Sequence, residues 1–181
     1  MKFESYQLPG VKTIVPNVHF DTRGYFFESY RLDKFIENEL SMEFLQENEV
    51  YSTRNVIRGL HYQLNNPQGK LVRCVVGKIL DVAVDIRVGS PTFGKWLTFE
   101  LSEKNKKMLY VPEGFAHGYL VKSESSIVSY KCTNIYKKED EYGIRWDDVD
   151  LNINWECSKP IVSDRDQNMP LLKKQSNLPR Y

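Results

Sequence analysis

Short runs of alternating apolar and polar residues, separated by turn formers every eight to twelve positions, fill most of the chain. This period-2 spacing predicts β-strands with little helix, the pattern of an all-β sandwich or barrel. The clearest pair is KLVRCVV followed by ILDVAVDI, where Gly77 supplies the positive φ that a two-residue type II′ hairpin turn requires. In the second run Leu80, Val82, Val84 and Ile86 alternate with Ile79, Asp81, Ala83 and Asp85, which predicts one apolar and one mixed face. Further strands are expected at KWLTFELS, KKMLYVP, GYLVKS and SIVSYKCTNIY. A helical period is clear only in LDKFIENEL, where Leu32, Phe35, Ile36 and Leu40 share a face, and this short helix is expected to cover a sheet edge.

After Tyr136 the texture changes. The stretch KKEDEYGIRWDDVDLNINWECSKPIVSDRDQNMP mixes turn formers and acids with Trp146, Trp155 and several isoleucines. Such a tail buries its apolar residues only against something else, so it is expected to wrap the barrel. The expectation is one domain over residues 1–181, an all-β double-sheet jelly roll with a short helix and a wrapping C-terminal tail.

Composition narrows the functional classes. A hydrophobic fraction of 41% over 181 residues suffices for a full core. The net charge is +1 and no basic run of five occurs, so neither nucleic acid nor an anionic membrane is an expected partner. The opening MKFESYQLPG has no apolar h-region, and no apolar run approaches the roughly 20 residues of a membrane span. A soluble cytoplasmic protein is expected. Cys74, Cys132 and Cys157 are odd in number and lack CxxC spacing, which argues against a disulfide framework or a structural zinc site.

Four clusters carry candidate chemistry. In VIRGLHYQ, alternation puts His61 and Gln63 on one face, and Arg58 joins them only if Gly59 bulges the strand; Lys70 and Arg73 follow on the next strand. In VPEGFAHGYL, Pro112 and Gly114 turn the chain into a strand bearing His117. In SIVSYKCTNIY, Tyr130, Cys132, Asn134 and Tyr136 share one face, as core or as site. In VSDRD, Ser163 followed by Asp166 fits a capping box, while Asp166 could instead be buried against an imidazole, fixing its tautomer. With no H-x-H pair, no phosphate loop and no nucleophile elbow, what remains is acid and base groups without metal or cofactor.

The ordered motifs FDTRGYFFES, VIRGLHYQ, QGKLVRCVVGKILDVAVDIR, SPTFGKW, VPEGFAHGY, YKCTNIY, GIRWDD and VSDRD closely resemble the dTDP-4-dehydrorhamnose 3,5-epimerase family. The resemblance spans nearly the whole chain. It implies a cupin-like jelly roll acting as a homodimer without metal or cofactor on a dTDP-linked 4-keto sugar in dTDP-L-rhamnose biosynthesis. By this resemblance His61 is the proton acceptor, Asp166 its carboxylate partner, Tyr130 the donor on the opposite face and Lys70 the lysine at the keto oxygen. Arg58 and His117 also line the pocket. Arg23, Glu28, Gln46, Asn48, Glu141 and Arg165 correspond to nucleotide-sugar contacts, Tyr136 to the tyrosine stacked on the base, and Phe26 is a candidate for its other side. The family often reads VQDN where this chain has LQEN, so Glu47 stands in for an aspartate at the base contact. Competing readings are a mono-epimerase, a different nucleotide carrier, a ketoisomerase, a non-catalytic nucleotide-sugar-binding module and a metal-dependent oxygenase.

Overall fold

A computed structural model describes residues 1–40 and 43–181. Thirteen strands dominate: β1 (Lys2–Ser5), β2 (Lys12–Val15), β3 (His19–Asp21), β4 (Gly24–Phe26), β5 (Gln46–Thr53), β6 (Ile57–Gln63), β7 (Lys70–Val76), β8 (Lys78–Asp85), β9 (Trp96–Ser102), β10 (Met108–Val111), β11 (Phe115–Val121), β12 (Ser125–Cys132) and β13 (Glu141–Gly143). Short helices α1 (Leu32–Ile36) and α2 (Asp164–Gln167) and single 3-10 turns at Lys138–Asp140 and Leu172–Lys174 complete the regular structure among the described residues. A six-stranded sheet in the order β1-β2-β10-β7-β12-β5 faces a five-stranded sheet in the order β13-β6-β11-β8-β9, and β3 and β4 form a separate hairpin. Every paired strand within these sheets is antiparallel, as the double-sheet expectation requires.

Alternation explains how the layers meet. Val72 and Cys74 of β7 and Val128 of β12 point inward from one sheet, against Ile79 and Ala83 of β8 and Tyr119 and Val121 of β11 from the other. The opposite face of the five-stranded sheet is also apolar: Leu60 and Tyr62 of β6, Val82 and Val84 of β8 and Leu120 of β11 pack under Ile144, Leu151, Trp155 and Leu172. The C-terminal tail therefore wraps the barrel as expected, and two indoles, one from the tail and one from β9, hold its backbone. Trp155 Nε1 donates to Trp146 O at 2.8 Å and Trp96 Nε1 to Leu151 O at 2.7 Å. Because the tail covers the apolar face of Leu80, Val82, Val84 and Ile86, and the mixed face of Ile79, Asp81, Ala83 and Asp85 turns to the other sheet, β8 is buried on both sides.

Three expectations are revised. Gly77 has φ +80°, yet β7 and β8 lie in different sheets, so the turn is a corner between layers and not a hairpin. A Cβ there would collide with the Ser125 carbonyl, which is why the corner takes glycine. The helix is only five residues long and packs on the outer face of the six-stranded sheet, where Phe35 sits among Ile14, Leu71, Met108 and Tyr110. Leu32 and Ile36 stay exposed while Leu40 is buried, because the chain leaves the helical path at Glu39, φ +63°. Finally, β12 ends at Cys132, so Asn134 and Tyr136 do not continue its face.

Candidate active site

The cleft opens between the two sheets. One chamber, about 520 Å³, is lined by Arg58, His61, Lys70, His117, Tyr119, Tyr130 and Asp166 among others. Beside it a second chamber of about 320 Å³ shares His61, Lys70, Tyr130 and Arg165 and adds Gln46, Asn48, Gln63, Tyr136 and Glu141.

His61 owes its aim to Gly59. His61 pairs with His117 and Arg58 with Tyr119, so two residues of β6 oppose the single Gly118 of β11, the bulge that alternation required. Gly59 has φ +122°, and a Cβ on it would lie 2.5 Å from Gly118 Cα. Both arms of the VSDRD ambiguity hold at once. Ser163 caps α2 by accepting from Asp166 N at 3.1 Å, and the same turn delivers the Asp166 carboxylate to His61, with Oδ1 2.8 Å from Nε2. Its other oxygen accepts from Gly59 N at 3.2 Å. Burial pushes the Asp166 carboxyl up, but the His61, Gly59 and Ser163 interactions outweigh it and hold the group below the usual range. An ionised carboxylate only accepts, so His61 carries its proton on Nε2 and presents the Nδ1 lone pair to the cleft.

On the opposite sheet Lys70 and Tyr130 reach the same space. Lys70 Nζ lies 5.9 Å from the Tyr130 ring centroid. Desolvation lowers the lysine from its ordinary value and pushes the Tyr130 phenol up to about 12, so at neutral pH the phenol keeps its proton. Arg58 enters from the bulge, its Nε donating to Ser52 Oγ at 2.9 Å.

A second imidazole–carboxylate pair, His117 Nε2 to Asp81 Oδ1 at 2.8 Å, was half missed by sequence reasoning. Asp81 is fully buried, and its trace in the sequence is an acid inside the apolar run ILDVAVDI. Among the described residues, no three His, Cys, Asp or Glu side chains converge as metal ligands.

The second chamber is a polar network. Glu141 Oε2 accepts from Tyr136 Oη at 2.7 Å and Arg165 Nη1 at 2.5 Å, while its Oε1 lies 3.9 Å from His61 Nδ1. Burial raises the Glu141 carboxyl, and these partners more than reverse that. Gln46 Oε1 accepts from Tyr136 N at 2.8 Å and its amide donates to Asn48 at 2.9 Å. Gln63 pins the neighbouring loops, donating to Asn66 O and accepting from Lys137 N.

Four expected residues lie elsewhere. The Glu47 side chain, one position out of phase with Gln46 and Asn48, points to the outer face and binds Ser129 and Lys131. Arg23, its side chain 88% exposed, pairs with Asp21 in the β3–β4 hairpin, and Glu28 faces Arg31. Neither Arg23 nor Glu28 lines the cleft of its own chain. Phe26 lies on the same hairpin, likewise outside the cleft.

Residues 5–174 match the family model described as dTDP-4-dehydrorhamnose 3,5-epimerase. The enzyme of that name from Methanothermobacter thermautotrophicus is 46% identical over 175 residues, 95% of each chain. The crystal structure of a dTDP-6-deoxy-D-glucose-3,5-epimerase of Legionella pneumophila in complex with dTDP-4-keto-L-rhamnose superposes with a TM-score of 0.95 at 40% identity, covering 99% of this chain and 98% of that one. A 3′-monoepimerase of Streptomyces bikiniensis, solved with dTDP-quinovose, gives a TM-score of 0.91 at 32% identity, covering 97% and 92%.

Proposed function

Since this chain belongs to the dTDP-4-dehydrorhamnose 3,5-epimerase family, we propose that it inverts carbons 3 and 5 of dTDP-4-dehydro-6-deoxy-D-glucose, giving dTDP-4-dehydro-L-rhamnose on the route to dTDP-L-rhamnose. The observation that carries this reading is the pairing of a base and an acid across one cavity: His61 on β6 in one sheet and Tyr130 on β12 in the other, with Lys70 beside them.

Each inversion removes a proton from a carbon next to the 4-keto group and returns one to the opposite face. His61 Nδ1 takes the proton, the electron pair moves onto the keto oxygen as an enolate, and Tyr130 protonates the far face. An imidazole is a weak base for a carbon acid, so the enolate needs stabilising as it forms. The Lys70 ammonium supplies this, a contribution of about 3–4 kcal/mol for one well-placed donor. Asp166 holds the tautomer and stabilises the imidazolium. Arg58 and His117 contact the sugar. The nucleotide occupies the second chamber: Arg165 grips the diphosphate, Tyr136 stacks on the base, and Gln46, Asn48 and Glu141 complete the contacts.

The chain works as a homodimer in this reading. Its support is the β3–β4 hairpin, which exposes Phe20 at 76% and Phe26 at 69% together with Arg23, apolar surface that a second protomer would cover. In the dimer Arg23, Phe26 and Glu28 serve the neighbouring cleft. No helix among the described residues is long and apolar enough to cross a membrane, and all three cysteines are free, which fits the cytoplasm.

Proton NMR of the substrate in D2O tests the proposal. Enzyme-dependent loss of the signals of hydrogens 3 and 5, with appearance of the L-lyxo product, is expected. Exchange at one carbon alone would establish the mono-epimerase reading, which the likeness to the Streptomyces bikiniensis enzyme keeps in play. No exchange at either carbon would overturn the assignment.

A further inference from the structure

Cys132 holds a junction between two cleft-lining residues, Lys70 and Gln46, that the roles above leave unused. One rung of the six-stranded sheet runs across β10, β7, β12 and β5 as Val111, Lys70, Cys132 and Gln46. Directly opposed residues on neighbouring strands bring their Cβ atoms to about 4.5–5.5 Å, so Val111 and Cys132 flank Lys70. Both are neutral. The outer face of the same strands shows what an acid does in such a position. Glu47, opposite Lys131, binds its Nζ at 2.7 Å. No comparable bond engages Lys70 among the described residues.

The other side of Cys132 meets the nucleotide chamber. Tyr136 N donates to Gln46, Gln46 donates to Asn48, and Asn48 Nδ2 donates to Cys132 Sγ at 3.8 Å. Sulfur is a weak, diffuse acceptor, so it closes this chain without offering an oxygen to the neighbouring ammonium. Burial pushes the thiol up, which keeps it uncharged at neutral pH.

We propose that Cys132 is a positioning residue of the reaction: its neutral sulfur terminates the Gln46–Asn48 chain and leaves the Lys70 ammonium uncommitted, free to meet the oxyanion forming on the substrate. The task of Lys70 in this statement rests on the epimerase reading. The other ionisable groups around Lys70 are Tyr130 from β12, His61 from β6, Glu141 from β13 and Asp81 from β8. Glu141 is engaged by Tyr136 and Arg165, and Asp81 by His117. A new acceptor at position 132 is therefore the change Lys70 would answer to.

Two variants test this. Cys132→Ser puts an oxygen beside the ammonium: kcat should fall about tenfold with KM near wild type, and the alkaline limb of the kcat–pH profile should move up by about half a unit. Cys132→Ala removes the acceptor of Asn48 and adds none for Lys70: kcat should stay within about threefold while KM rises several-fold. A serine variant with wild-type kcat and an unmoved limb overturns the proposal. So does an alanine variant that keeps its thermal midpoint but loses kcat as the serine variant does. If the wild type does not turn over the dTDP-linked keto sugar, the epimerase reading fails separately. The pH dependence of Lys70 modification by trinitrobenzenesulfonate, located by mass spectrometry, then decides: a midpoint raised in Cys132→Ser supports the assignment and an unchanged one refutes it.

Discussion

Replacing Asp166 by asparagine separates the charge of the carboxylate from its shape. The wild-type carboxylate accepts twice, from His61 Nε2 at 2.8 Å and from Gly59 N at 3.2 Å. An amide has one acceptor oxygen. If that oxygen stays with Gly59, the NH2 group faces His61 and forces its proton from Nε2 to Nδ1, the nitrogen that has to be free to act as base. If the oxygen turns to His61, the buried Gly59 N–H faces an NH2 group. The first arrangement removes the base tautomer, which in comparable imidazole–carboxylate pairs costs about 10³–10⁴ in kcat, or roughly 4–5.5 kcal/mol of barrier. Stability should fall by only about 1–2 kcal/mol, a drop of about 2–8 °C in the midpoint of a chain this size. Deuterium exchange at hydrogens 3 and 5 measures the rate, thermal unfolding the fold, and nitrogen-15 shifts of the imidazole the tautomer. A variant within tenfold of wild-type exchange, with the His61 proton moved to Nδ1, would refute the reasoning.

Other consequences are equally specific. Burial pushes the Asp85 carboxyl up, but Arg87, Ser90 and Thr92 outweigh it and bring it from 3.8 to about 2. That lowering contributes about 2 kcal/mol above pH 4 and is lost as the pH falls through about 2. In urea titrations the stability gap between wild type and Asp85→Asn should therefore narrow over that acid range. Gly59→Ala drives a Cβ into the Gly118 backbone and should cost about 1–3 kcal/mol in chemical denaturation, with exchange impaired because His61 moves with the bulge. Mixing Arg23→Ala with His61→Ala protomers should restore activity that neither shows alone, since in the proposed dimer a hybrid holds one cleft with His61 from one chain and Arg23 from the other. Failure of mixed dimers to regain activity would count against a shared cleft.

Much of the architecture was legible because burial imposes a period of two on strands. The bulge at Gly59 followed from needing Arg58 and His61 on one side, and β6 pairs with β11 in that way. The corner at Gly77 was not legible, because a positive φ serves a hairpin and a passage between sheets equally well, and the choice depends on distant partners. Helix α1 is shorter than its pattern because Leu32 and Ile36 find no surface to cover. For the site, Glu47 turns away from Gln46 and Asn48 because strand side chains alternate, and transfer of a contact by position alone overlooks that pleat. Asp81 was hidden for the opposite reason: its strand is buried on both faces, so the pattern does not separate a core position from a cleft position.

His61 and Tyr130 are carried by different sheets, and no single strand fixes the gap between them. That gap is set by the thickness of the filling between the layers, ordinarily close to 10 Å. Val72, Val128, Ala83 and Val121, none of which lines the cleft, therefore act together as a spacer gauge for the proposed proton transfer. One extra methylene among them would pry the two walls apart while leaving every reacting group chemically intact. Volume-altering changes deep in the sandwich should accordingly slow the reaction before they melt the protein.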